Sequence, residues 1–200
     1  MQKMRADAAR NRRLLLEAAA AEFAEHGTDV SIARIAARAG LGKGTVFRHF
    51  ATKEQLIAAI FSDRLDRLSA RAEDLIAAAD PGRALLEFMA GAVETQLADR
   101  SSCEAMPGEL RADRQFTAAT DRLVAAAEAL TARARTAGAV RADVTGYDIV
   151  LLVNAVTQTT TPFDDAPPDL WRRYLALVFD GLRPQAATPL PAEPPRPRPA

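Results

Sequence analysis

Two hundred residues with 48% hydrophobic content can build one medium-sized unit, or a small domain fused to a larger one. Twenty-six Lys and Arg balance twenty-six Asp and Glu, which argues against a protein that coats nucleic acid or anionic membrane indiscriminately. Cys103 is the single cysteine, so an intrachain disulfide and a cysteine-rich zinc site are both excluded.

The charges are unevenly placed. Residues 1 to 53 hold ten Lys or Arg against five Asp or Glu, whereas residues 54 to 200 hold sixteen against twenty-one. A basic head on an acidic body is the distribution of a protein that brings only its N-terminal part to phosphate. No apolar run reaches spanning length, and the opening MQKMRADAARNRR lacks the apolar stretch of a secretory signal. A cytoplasmic protein with no membrane attachment is the expectation. No repeat at a solenoid period is present.

Taken in order, residues 1 to 10 read as a mobile arm whose Lys3, Arg5 and Arg10 add diffuse positive charge or track a DNA backbone. A helix is expected from 11 to 26, with Leu15, Ala19 and Phe23 repeating every four residues and Gly27 as its stop. Ser31 then caps a short helix whose apolar stripe is Ile32, Ile35, Ala36 and Ala39, and Gly40 ends it. A tight connection through Leu41, Gly42, Lys43 and Gly44 leads into a second short helix. There Val46 and Phe50 can face inward, leaving Lys43, Thr45, Arg48 and His49 routes outward. Two short helices joined by a glycine-containing turn have the format of a helix-turn-helix.

Thr52 and Gln55 form a capping-box pattern ahead of a long helix reaching about residue 79, with Leu56, Ile57, Ile60, Phe61, Leu65, Leu68, Leu75 and Ile76 on its apolar face. Asp80-Pro81 starts the next helix, which carries Leu85, Leu86, Phe88, Met89 and Val93 to about residue 98. Residues 99 to 109 have turn character, and a long amphipathic helix follows from 110 to 137 with Phe116, Leu123, Val124, Ala127 and Leu130 as apolar positions. Asp143 can cap a helix through Ile149, Val150, Leu151, Leu152, Val153, Ala155 and Val156, apolar on nearly all sides, with fraying expected over 157 to 162. The last helix, 170 to 182, carries a broad aromatic face. Seven prolines in the final seventeen residues read as an extended, disordered tail.

From Arg12 to Leu56 the order and spacing of motifs are dense. They comprise Phe23-Ala24-Glu25-His26-Gly27, Ile35-Ala36-Ala37-Arg38-Ala39-Gly40, Gly44-Thr45-Val46-Phe47-Arg48-His49-Phe50 and Lys53-Glu54-Gln55-Leu56. This stretch resembles the DNA-binding module of the tetracycline-repressor (TetR) family of bacterial transcriptional regulators. The resemblance implies an all-α protein of about nine helices: an N-terminal arm and helix-turn-helix domain over 1–53, an effector-binding and dimerisation bundle over 54–183, and a proline-rich tail over 184–200. It also implies a repressor that binds a palindromic double-stranded operator as a homodimer and is released by a small, mostly apolar effector. No cofactor is implied.

The candidate DNA contacts follow from both readings. Lys43 and Thr45 lie early in the second short helix, where base edges are reached; Lys43 can instead neutralise phosphate. Arg48 and His49 are nearer a helix end that points away from the groove floor. The resemblance adds backbone contacts at Phe47, His49 and Lys53, with Ser31 and Gly42 close to phosphate. Gly42 stands where the family commonly has serine, and Phe47 where it has tyrosine, so one cap and one hydroxyl are lost. Arg34 and Arg38 read equally as a solvated helix face or as phosphate contacts.

The dimer interface is expected at Leu151, Leu152, Trp171, Tyr174, Leu175, Val178 and Phe179, unless the aromatics complete the chain's own core. Expected effector-pocket residues are Phe88, Met89, Val93, Cys103, Met106, Phe116, Leu123, Asn154 and Gln158, Asn154 being a polar group that needs a partner if buried. Two rival classes remain. An enzyme is disfavoured because the only histidines are His26 and His49, and no HExxH, Walker-type loop or nucleophile elbow is present; a bound Mg²⁺ has no support. The other rival keeps the fold but acts chiefly through a protein partner.

Overall fold

The computed structural model describes residues 2–26, 30–98, 113–159 and 167–194. The described residues form helices and no strand: α1 (Gln2–His26), α2 (Ile32–Arg38), α3 (Lys43–His49), α4 (Lys53–Leu75), α5 (Pro81–Ala98), α6 (Arg114–Thr136), α7 (Gly146–Gln158) and α8 (Leu170–Gly181), followed by a 3-10 turn at Pro184–Ala186. None of these helices is long and apolar enough to cross a membrane. The turn expected over 99 to 109, with Cys103 and Met106, lies outside the described residues.

Two compact units divide the chain. The first runs from Met1 to Arg64 and takes in the start of α6 as far as Ala119; the second holds Leu65–Ala98 and the chain from Thr120 onward. Its division points fall inside α4 and α6.

In the first unit α1 supplies Leu15, Leu16, Ala19 and Phe23, α2 supplies Ile35 and Ala36, α3 supplies Val46, and α4 supplies Leu56, Ile57, Ile60 and Phe61. Seven-residue helices such as α2 and α3 are too short to persist alone in water, so this shared apolar core is what holds them. α1 begins at Gln2 rather than residue 11. The first ten residues contain no Gly or Pro, so nothing in the backbone interrupts the helix, and the expectation of a mobile arm is corrected.

Local polar bonds set the helix ends. The Ser31 hydroxyl accepts from the Arg34 N–H at 3.3 Å, as its N-cap position predicts. Gly40, at φ +67°, takes the left-handed conformation that ends α2. Its N–H reaches the Ala37 carbonyl at 3.1 Å and the Leu41 N–H reaches that of Ala36 at 2.9 Å, a complete Schellman turn. At the start of α4 the Gln55 N–H donates to the Thr52 hydroxyl at 3.2 Å, while the Gln55 side-chain Oε1 accepts from the Ala51 N–H, one residue earlier than a standard capping box requires. Asp80 caps α5 through the Arg83 N–H at 2.9 Å.

The second unit has its own core, with Leu85, Phe88, Met89 and Val93 of α5, Leu123, Ala127 and Leu130 of α6, Ile149, Val153 and Val156 of α7, and Trp171, Leu175 and Phe179 of α8. The cap of α7 is Thr145 in a full capping box with Asp148, not Asp143. Asp143 is instead engaged by the Arg141 guanidinium, whose Nε lies 2.5 Å from its carboxylate. Gly146 is required here for space: a Cβ would stand 2.3 Å from the Glu128 backbone nitrogen. The start of α7 therefore packs directly on the α6 backbone, where Glu128 accepts from the Gly146 N–H at 2.5 Å.

Candidate nucleic-acid interface

α3 is anchored from beneath and open above. Val46 is fully buried and Phe50 nearly so, while Lys43, Gly44, Phe47 and Arg48 are exposed and Thr45 and His49 are half-buried. This alternation is the helical periodicity expected of an amphipathic segment, with one difference: its outer face carries a large apolar ring. Phe47 is 54% exposed, the one large aromatic side chain left in solvent among the described residues. Arg12 of α1 lies 5.6 Å above the Phe50 ring and so braces the helix end. The Arg48 Nε donates to the Gly44 carbonyl at 3.3 Å.

Glycines on this surface are of two kinds. Gly40 is there for its backbone angle. At Gly42 and Gly44 φ is not positive, and a Cβ would meet nothing within 4 Å. The fold therefore does not call for glycine at either position, and within a helix glycine is destabilising by roughly 0.5–1 kcal/mol relative to alanine. Gly42 also leaves the N-cap of α3 without a side-chain bond. Both glycines are exposed beside Lys43.

Ser31 is exposed at the start of α2, and Lys53 is half-buried at the start of α4. Arg34 and Arg38 behave otherwise. Arg38 grips Glu25 in a two-pronged fork, with contacts of 2.6 and 2.7 Å, and reaches Glu22 at 3.2 Å. The Arg34 Nε lies 2.6 Å from the Glu22 carboxylate, and its Nη2 donates to the His26 Nε2 at 2.7 Å. The Glu22 carboxylate is only 6% exposed, so burial makes these partners necessary. The fork with Arg38 holds the Glu25 carboxyl below its ordinary value and pushes Arg38 upward. The clasp joins α1 to α2 and gives both arginines carboxylate partners within the chain. Its signal was available in the chain as Glu22 and Glu25 on the last turn of α1 facing Arg34 and Arg38 one turn apart on α2, a match that periodicity alone passes over.

Four of the residues expected to line an effector pocket share one core. Phe88, Met89, Val93 and Leu123 are packed into the second unit's core at 6% exposure or less. Phe116 belongs to the first unit, edge-on to Phe61 with ring centroids 6.5 Å apart. Asn154 and Gln158 are exposed on α7, so Asn154 is not a buried polar group in need of a partner. Cys103 and Met106 lie outside the described residues.

The expected dimer surface also splits. Trp171, Leu175 and Phe179 recur every four residues along the inner side of α8 and are buried in the chain's own core, which corrects their assignment to an interface. The outward residues are Leu151 at 45% and Leu177 at 57% exposure, flanked by half-buried Leu152, Tyr174 and Val178. Leu177 is the addition that sequence reasoning missed. Among the described residues no three His, Cys, Asp or Glu side chains gather as a metal site.

Comparison with known proteins matches both parts of the chain to family models. Residues 15–60 match the model described as bacterial regulatory proteins, tetR family. Residues 80–184 match the SbtR-like transcriptional regulator C-terminal domain. The HTH-type transcriptional repressor Rv1474c of Mycobacterium tuberculosis is 28% identical over 87% of this chain and 81% of its own. Among solved structures, a TetR transcription regulatory protein from Mycobacterium vanbaalenii is 38% identical, covers 90% of this chain and 99% of its own, and superposes with a TM-score of 0.68. The ketosteroid transcriptional regulator KstR2 of Mycobacterium tuberculosis is 26% identical across 87% and 95% of the two chains, with a TM-score of 0.58.

Proposed function

The chain belongs to the TetR family of bacterial transcriptional regulators and is a regulator rather than an enzyme; from that premise we propose that it is a repressor whose α3 reads a palindromic operator and whose second unit joins two copies and answers to a small apolar effector. The observation that carries the reading is the outer face of α3. Lys43, Gly44, Phe47 and Arg48 are exposed above a buried Val46, and glycine stands at two positions where the fold itself does not ask for it.

A missing side chain on an exposed helix lets another backbone come close. Beside lysine and arginine, the partner chemistry is a phosphodiester and the base edges behind it. Lys43 and Thr45 are the base-reading residues. Ser31, Gly42, His49 and Lys53 flank them as phosphate contacts that fix register. Phe47 offers no hydroxyl to phosphate, so its ring contributes an apolar contact, of the kind a thymine methyl accepts. Arg48 supplies diffuse positive charge.

Seven residues of recognition helix bury too little surface for selective binding. Two copies joined through the outward leucines of α7 and α8 would present two such helices to a two-fold operator. For the effector, the supporting features are an apolar core containing Phe88, Met89, Val93 and Leu123 and the likeness to KstR2, described as a ketosteroid regulator. We take the effector to be a largely apolar small molecule that opens this core.

The test is binding to the duplex upstream of the protein's own gene, measured across salt. Affinity falling steeply and log-linearly with salt, with saturation at two chains per site, supports the reading. Absence of binding at low salt would transfer the function to a protein partner.

A further inference from the structure

Three of the four large apolar side chains that remain exposed among the described residues meet along one groove: Leu151 of α7, Leu177 of α8 and Leu190 of the segment after α8. The groove has a volume of about 460 Å³, and Val144, Leu152 and Val178 complete its apolar wall. Leu190 comes from the proline-rich stretch that composition reads as a disordered tail, yet this stretch begins in an ordered way. The Leu182 carbonyl accepts from the Arg141 N–H at 2.7 Å, and Ala187 closes a turn onto Pro184 at 3.2 Å. The Arg141 guanidinium then donates to the Thr188 carbonyl while holding Asp143 at 2.5 and 2.8 Å. Its side chain is only 11% exposed, so the clamp is part of the packed structure. Pro189 and Pro191 restrict the backbone on either side of Leu190.

The segment is thus fixed up to the groove's edge, yet its leucine is left 49% exposed. The polar groups around the groove are satisfied within the chain: Arg141 as above, and Asp148 by the Thr145 N–H and hydroxyl at 2.8 and 2.7 Å. What the patch offers outward is therefore mainly apolar, with Arg141 paired to Asp143 and the Asp148 carboxylate held in the capping box at the start of α7. Such a surface suits an identical surface related by a two-fold axis better than a charged partner.

We propose that residues 187–194 form an arm of the subunit interface, with Leu190 buried by a second copy of this chain seated on the groove. The inference rests on the α7–α8 dimer proposed above and adds a part to it that lies beyond the last helix. A chain held in one conformation before association loses less freedom on binding, so a clamped, proline-flanked leucine is an effective contact.

The experiment is sedimentation equilibrium of the full chain, of Leu190→Ser and of Leu177→Ser, with helical melting followed by circular dichroism for each. Wild type is expected to be a dimer at micromolar concentration. Leu190→Ser is expected to raise the dissociation constant by roughly tenfold, because two half-exposed leucines lose their burial in every dimer, with an unchanged melting curve for the monomer. Leu177→Ser is expected to raise it further. A dimer equally tight or tighter in Leu190→Ser overturns the arm while the α7–α8 dimer stands. A monomeric wild type overturns both.

Discussion

The outer face of α3 and the shared face of α7 and α8 are both exposed, but with opposite chemistry. α3 presents lysine, arginine, glycine and one phenylalanine; α7 and α8 present leucine. Exposed leucine lowers its free energy only by leaving water, which calls for an apolar mate. Exposed cations beside unneeded glycines lower theirs against a polyanion that can approach closely. On the function proposed above, the same fold carries two contact surfaces, one for DNA and one for a second copy of the chain. Arg34 and Arg38 sharpen the contrast, since these exposed cations of α2 are already paired within the chain to Glu22 and Glu25.

The largest expected effect comes from converting one surface into the other. Leu151→Asp with Leu177→Asp should place four carboxylates, two from each chain, in the proposed interface and leave the chain monomeric in sedimentation. Affinity for a full palindrome should then fall by about 100-fold or more, through loss of avidity, while weak binding to a half-site persists. Next in size are the contacts on the other surface. Thr45→Ala should cost about 1–3 kcal/mol at one base pair and relax preference there, whereas Lys53→Ala should weaken all sequences equally and lower the salt slope by about one. Equal losses from the two substitutions in a competition assay would contradict that division.

A smaller effect, more telling for its sign, is expected of Gly44→Ala. An added methyl meets open space in the free protein, so the melting temperature should rise with roughly 0.5–1 kcal/mol of added stability, while DNA affinity falls. A variant both more stable and equally tight would show that no backbone approaches that face.

The smallest concerns acid. Arg38 depresses the Glu25 carboxyl, so the fork's contribution is fully present above the ordinary carboxylate value of 4.5 and is lost as pH falls through the depressed one. Arg38→Met should flatten the acid limb of the melting temperature against pH. An unchanged limb would remove the clasp from the account.

Much of the first unit could be read from residue types because its positions have single physical reasons. Gly40 marks a left-handed turn, Ser31 a cap, and Val46 and Phe50 an inward foot. α8 was harder. Leucines, valine and aromatics surround most of it, and nothing in the chain says that Trp171, Leu175 and Phe179 turn inward while Leu177 turns outward, since that depends on which neighbours pack. Asn154 was undecided for a related reason: a polar residue within VLLVNAV leaves its facing open, and α7 keeps an exposed side there. Asp143 and Thr145 are both capable caps by residue type; α7 begins at Gly146, so Thr145 takes the role in its capping box with Asp148, and Asp143 pairs with Arg141. The start of the proline-rich segment is ordered through Arg141, more than forty positions away in sequence, and composition cannot register a partner that distant.

The most direct test is selection of binding sites from random duplex DNA by the full-length protein at low salt, run beside Thr45→Ala. The expected result is a palindrome whose half-sites are separated by a whole number of helical turns of about 34–36 Å, with preference relaxed at one symmetric pair of positions in the variant. Enrichment of no sequence, or the same motif recovered with equal strength by both proteins, would contradict the assignment of α3 as the reading element.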